Sequence, residues 1–127
     1  MKDMVMSLVA MPEDKMRSML SDRLQLFASA NESDRKKSMK MMLDAALDLP
    51  EDSYRKLASA RMQALMSFPD DVKMTLMKTH AEVLKELPSA KVQKEMRVMQ
   101  QLLGKMPEPQ RNAALNAMRT AGIQMQA

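Results

Sequence analysis

Residues 49–71 read LPEDSYRKLASARMQALMSFPDD, with Leu49-Pro50-Glu51-Asp52 at one end and Phe68-Pro69-Asp70-Asp71 at the other. The same signature, an apolar residue, a proline and then acid, stands at Met11-Pro12-Glu13-Asp14 and Met106-Pro107-Glu108, and Leu87-Pro88 repeats it without the acid. Pro50, Pro69, Pro88 and Pro107 are spaced by 19 residues, and Pro12 lies two such periods before Pro50. Asn31, a residue type that favours helix starts, fills the remaining grid point. Six units therefore begin at 12, 31, 50, 69, 88 and 107, and residues 1–11 match the last eleven positions of a unit before them.

Proline is tolerated at the first helical position, where its missing N–H would be unpaired anyway, and it biases the residue before it away from helical geometry. The reading therefore starts a helix at each grid point and ends it before the next. Acids after the proline meet the positive end of the helix dipole, worth about 0.3–1 kcal/mol each. Within a unit, apolar residues recur at positions 5, 8, 9, 12, 13 and 16, the spacing of an amphipathic helix. Position 9, for example, holds Leu20, Met39, Ala58, Met77, Met96 and Leu115. Position 12 is mixed, with Arg23, Arg61 and His80 among three methionines. No strand-like alternation occurs.

These observations predict one all-α domain over 1–127. It is an antiparallel helical repeat of six helices on the 19-residue period plus an N-terminal half-helix. Short turns predict consecutive helices as packing neighbours, in a short superhelix or a compact bundle. The 38-residue pair resembles HEAT-type repeats in length alone. Residues 1–11 begin mid-unit and Gly122 leads into what reads as a fraying terminus. Neither end reads as a polar cap, so self-association through the array ends is an expectation.

Composition narrows the chemistry. With no Cys, one His and two Gly, the chain has no disulfides, no thiolate nucleophile, no ordinary zinc site and no glycine-rich phosphate loop. Every acidic pair sits in a helix-start slot, which assigns those carboxylates a structural role; the expectation is a non-enzyme without a cofactor. No apolar run approaches the roughly 20 residues of a membrane span. The N-terminal stretch carries an acid beside its single Lys and lacks a cleavage pattern, so no secretory signal is read and a soluble intracellular or organellar protein is expected.

Eighteen methionines remain to be placed. Pairs such as Met16/Met19, Met74/Met77 and Met96/Met99 share helix faces, and most of the eighteen occupy core columns, where flexible thioethers fill irregular gaps. Those off the columns or near the ends, Met4, Met6, Met41, Met66, Met106 and Met125, are candidates for an apolar groove that accepts a protein partner. A Cu(I) carrier using Met39, Met41 and Met42, or Met96 and Met99, is a lesser alternative.

Charge offers another reading. The net +4 is concentrated in the C-terminal third. Lys91, Lys94 and Arg97 share a helix face with Lys105 beyond its end, against Glu95 alone within that unit. This is a candidate face for RNA or another anionic partner. Tyr54, the only aromatic that reads as exposed, lies two units away. The favoured expectation is a non-catalytic interaction or structural subunit that docks in a larger assembly through Met/Leu-rich helical surface.

Overall fold

The structure, a computed structural model, describes residues 1–123. Among them are seven helices: α1 (Lys2–Val9), α2 (Glu13–Ser29), α3 (Glu32–Ala46), α4 (Glu51–Met66), α5 (Asp70–Glu86), α6 (Ser89–Gly104) and α7 (Glu108–Ala121). The 19-residue grid is therefore the helix grid, and the half-unit is a short helix.

Each full helix begins one residue after its grid point, so the prolines are N-caps and not first helical residues. Their φ of −53° to −57° suits proline, while ψ of 147° to 153° keeps them outside the helical region. Proline fixes φ only, and ψ follows the extended exit from the preceding turn. The proline carbonyl then accepts the first helical hydrogen bond, as from the Met16 N–H to Pro12 and the Tyr54 N–H to Pro50, both 2.9 Å. Asn31 reaches the same result with its side chain, whose Oδ1 accepts from the Asp34 N–H at 2.9 Å.

Cations close two of the helix ends. Arg35 donates to the carbonyls of Phe27 at 3.1 Å and Ala30 at 2.8 Å, beyond the last turn of α2. Lys94 donates to the carbonyls of Leu47, at 2.9 Å, and Leu49 after α3. Positive groups are favoured there because helix C-termini leave carbonyls unpaired and carry negative partial charge. α7 ends otherwise. Gly122 adopts φ 94°, its N–H meets Arg119 O at 3.1 Å, and the Ile123 N–H meets Met118 O at 2.8 Å. That pair of bonds is the Schellman stop, which needs a left-handed residue and so favours glycine. Of the stretch expected to fray, Gly122 and Ile123 are thus held by this stop, with Ile123 buried, and residues 124–127 lie outside the described residues.

Packing differs from the sequence expectation in one respect. Consecutive helices are joined by turns of two to four residues. Yet the most extensive contacts join each helix to the one two places on: α2 with α4, α3 with α5, α4 with α6, α5 with α7. Two layers result, α2–α4–α6 and α1–α3–α5–α7, joined by cross-layer contacts such as α2 with α5. Polar pairs record the register. Arg17 with Gln63, Lys36 with Glu82, Arg55 with Gln101, Lys40 with Glu86 and Arg97 with Glu51 are all separated by 46 residues. A constant separation means that helices two apart run parallel. The turn length sets chain direction, whereas the apolar faces set which helices pack.

Those faces are readable on the grid. Positions 8, 11 and 15 of a unit turn toward the helix two places earlier. In α4 they hold Leu57, Ala60 and Ala64, in α5 Leu76, Thr79 and Val83, in α6 Glu95, Val98 and Leu102, and all nine are buried. In α3, whose earlier neighbour is the short α1, Ser38 and Ala45 are half-buried and Met41 is exposed. In α2, which has no helix two places before it, Met19, Asp22 and Leu26 are all exposed.

Candidate functional site

Arg61 and His80 at position 12 and Glu95 at position 8 stand in columns whose other members are mostly apolar. The structure brings them together between the layers with Tyr54. Tyr54 and Arg61 lie two turns apart on α4, His80 comes from α5 and Glu95 from α6. Tyr54 donates to Glu95 Oε2 at 2.5 Å, and Arg61 donates to Glu95 Oε1 at 2.9 Å and to the Tyr54 hydroxyl at 3.3 Å. His80 Nε2 lies 3.6 Å from Glu95 Oε2, too far for a hydrogen bond. Glu95 and Tyr54 are both 0% exposed, so Tyr54 is a core residue and not the exposed aromatic that its sequence context suggested.

Burial sets the protonation states. It acts to raise Glu95, but the Arg61 charge and the hydrogen bonds from Tyr54 and Arg61 outweigh it and hold the carboxyl below its ordinary range. Burial opposes the charge on Arg61 too, and Glu95 and Tyr54 more than restore it. Burial raises the Tyr54 hydroxyl, and neighbouring Glu95 adds to this, so Tyr54 stays a proton donor. Burial pushes His80 down to about 4 against the pull of Glu95, leaving a neutral imidazole at pH 7. The result is an internal Arg–Glu pair with a tyrosine donor. Such a pair gains little net stability but fixes which helix faces meet.

Beside this cluster lies a pocket of about 130 Å³, partly open to solvent, lined mainly by α4, α5, α6 and α7 with Leu24 of α2 and Met39 of α3. Seven methionines contribute to its lining, among them Met62, Met66, Met77, Met96, Met99 and Met118. Arg61, His80 and Glu95 reach it from the cluster, and Lys73 also contributes. Its origin is visible on the grid, because α7 places Ala114 at position 8, where α4 and α5 carry Leu57 and Leu76.

The second surface is the open end of the two layers. Leu26 is 69% exposed and Met19 43%, one i,i+7 step apart on α2. Met41 of α3 and Met6 of α1, both about half exposed, lie at the same end of the array. The opposite end is polar: Gln93 and Gln100 of α6, with Asn112 and Arg119 of α7, are exposed on the side facing away from the preceding helices.

The groove candidates thus divide. Met6 and Met41 are exposed at the open end, whereas Met66 stands at the pocket. Met4 and Met106 are half-buried against the core, and Met125 lies outside the described residues. Met19 and Leu26 were not singled out, although Leu26 on a non-core position was the available signal.

Three of the cations proposed to meet an anionic partner have intramolecular partners. Lys91 pairs with Asp44 at 2.5 Å and Asp48 at 3.1 Å, Lys94 serves the α3 carbonyls, and Arg97 meets Glu51 at 2.6 Å. Lys105 is exposed at the end of α6. Of the copper candidates, Met39, Met96 and Met99 line the pocket, while Met41 is exposed elsewhere. Among the described residues, no cluster of three His, Asp or Glu is placed to hold a metal ion, and no helix is long and apolar enough to cross a membrane. No family model, curated protein or solved structure matches the chain.

Proposed function

We propose that the chain is a non-catalytic docking protein whose open end receives an amphipathic helix from a protein partner. The supporting observation is the contrast along one grid face. Positions 8, 11 and 15 are buried in α4, α5 and α6 by the helix two places before, while in α2 they present Met19, Asp22 and Leu26 to solvent. The partner helix lies alongside α2, where a further helix of that layer would pack. Fully burying an exposed Leu or Met is worth about 1.5–3 kcal/mol before the costs of association, so two such anchors supply a useful driving force. Asp22 between them favours a partner with a cation at the matching turn, which fixes register.

A second copy stacked head to tail fits this surface poorly, since it would set Met19 and Leu26 against Gln93 and Gln100. Contact with an anionic partner draws less support, because Lys91, Lys94 and Arg97 already neutralise internal acids or carbonyls.

The test compares capture of partners from native extract by the wild-type chain, Met19→Glu and Leu26→Glu, each checked for unchanged helicity. The expected partner survives about 0.5 M salt and is lost from both variants. Capture that collapses with salt and ignores both substitutions would refute the reading in favour of an electrostatic one.

A further inference from the structure

The methionine-lined pocket includes neither Met19 nor Leu26 of the docking face and has its own chemistry. We infer that it is a binding site for a small, neutral, single-ring aromatic compound. Size is the first argument. At about 130 Å³ the pocket is close to the engineered apolar cavity of about 150 Å³ that stays dry and takes up benzene, and it is smaller than the roughly 300–1,000 Å³ of sites for drug-sized ligands.

Lining chemistry is the second argument. Thioether sulfur makes favourable contacts with aromatic rings, often at the ring edge. Met77, Met99 and Met118 are buried pocket residues, and Met62 and Met96 are half-buried beside them. The chain itself holds only three aromatic side chains, none of which lines the pocket, so a ring set against these sulfurs would come from a ligand.

Charge is the third. Arg61 and Glu95 satisfy one another, so the cluster offers no surplus charge for an ionic ligand to neutralise. His80 meets the pocket as a neutral imidazole whose Nε2 is too far from Glu95 to be hydrogen-bonded, so it can face a single hydroxyl on the ring. Lys73, near its own Asp70 at 3.6 Å, tolerates that neutral guest.

The pocket also has a built-in control. Ala114 is the small residue that leaves the space, and Leu is what the same column holds in α4 and α5. Ala114→Leu therefore fills the pocket with a side chain the repeat already accommodates, and Ala117→Val is a milder filler should that variant fold poorly.

The experiment titrates the intact chain, labelled at its methionine methyls, with benzene, phenol and cyclohexane, following the methyl resonances by NMR and the melting temperature in parallel. Benzene and phenol are expected to shift several pocket methyls and raise the melting temperature, with cyclohexane weaker. Met99→Leu, which removes a sulfur at nearly constant volume, is expected to weaken the aromatics by about 2- to 10-fold and leave cyclohexane unchanged. The filling variants are expected to abolish binding with the fold intact. The inference is overturned if no probe binds, if cyclohexane binds as tightly as benzene, or if a folded filling variant still binds. A capped phenylalanine amide preferred over phenol would likewise overturn it, by reassigning the pocket to a partner's side chain.

Discussion

Leu26 and Leu102 are the same side chain at the same grid position, in α2 and in α6. One is 69% exposed and the other 9%. Nothing local separates them, since both sit late in helices of similar length. The difference is that α4 lies against the Leu102 face of α6, while no helix occupies the corresponding side of α2. Position 8 makes the point with opposite chemistry: apolar Met19 is exposed, and charged Glu95 is fully buried. Burial in this repeat follows the presence of a neighbour two helices back, and only secondarily residue type.

The contrast predicts unequal responses to mutation. The largest belongs to Glu95. Glu95→Ala strands the buried Arg61 charge and removes the acceptor of the Tyr54 hydroxyl, at an expected cost of about 3–5 kcal/mol in urea unfolding. Met19→Ala, in the same column, should stay within about 0.5 kcal/mol of wild type. Equal responses would mean that the column does not have the two environments described. Replacing Arg61 and Glu95 together with Met and Leu should recover most of the loss, because no uncompensated charge is left behind.

Position 15 gives the matched pair. Leu102→Ala should cost about 2–5 kcal/mol, as truncation of a buried leucine does, and Leu26→Ala about 0.5 kcal/mol or less. If the captured partner is present, however, Leu26→Ala should weaken the complex while leaving the free chain's stability unchanged. A Leu26→Ala chain that lost stability on its own would show that α2 is already covered.

Between pH 7 and 5, above the carboxylate range, acid should act chiefly through the covered side. An unfolded His80 takes up its proton near 6.5, whereas burial delays this to about 4 in the folded chain. Between those values the unfolded state binds more protons, so stability is lost as pH falls from about 6.5 toward 4, by about 3 kcal/mol in all. Glu95, with its pKa lowered, contributes a further loss that begins as pH falls through the ordinary carboxylate value of 4.5. The groups facing His80 are Glu95 and Arg61, and Arg61 stays charged throughout. Chemical unfolding at pH 7, 6 and 5 should therefore show a decline in wild type that His80→Leu flattens. A decline of the same slope in both would remove His80 as its source.

How far the chain could be read before its coordinates follows from which features are local. Proline and Asn31 punctuate the helices by their own backbone preferences, so the start of each of the six full helices was legible to one residue, whereas the ends, set by the turns, fall two to four residues before the next grid point. Positions 11 and 15 were harder. Ala60, Ala64, Thr79 and Ala121 pack closely because they are small, and small residues leave little trace in hydrophobic periodicity. The two-layer arrangement was equally hidden, because short turns announce a sequential neighbour and say nothing of the helix beyond it. The polar cluster spans separations of 34 to 41 residues between α4 and α6. Its sequence trace was Arg61, His80 and Glu95 in mostly apolar columns, a pattern that does not say which of them meet. The pocket shows only when α7's alanines are set against the leucines of α4 and α5.

The division into six units presumes that residue 31 is a true grid point, equivalent to Pro12 and Pro50 although it is not proline. Asn31 has φ −66° and ψ 163°, and Ala30 before it has φ −76° and ψ 160°, both compatible with an X–Pro step. Asn31→Ala removes the side-chain cap and should cost about 1 kcal/mol. Asn31→Pro removes the same cap but restricts the unfolded chain, a gain of about 0.4–1 kcal/mol where the native angles fit. The two effects nearly cancel, so Asn31→Pro should lie within about 0.5 kcal/mol of wild type and above Asn31→Ala in melting temperature. A loss near the 3 kcal/mol of a proline inside a helix would place residue 31 within a helix and take the second unit's columns off the grid, while Leu26 and Leu102, each 14 residues after its own proline, would keep their equivalence.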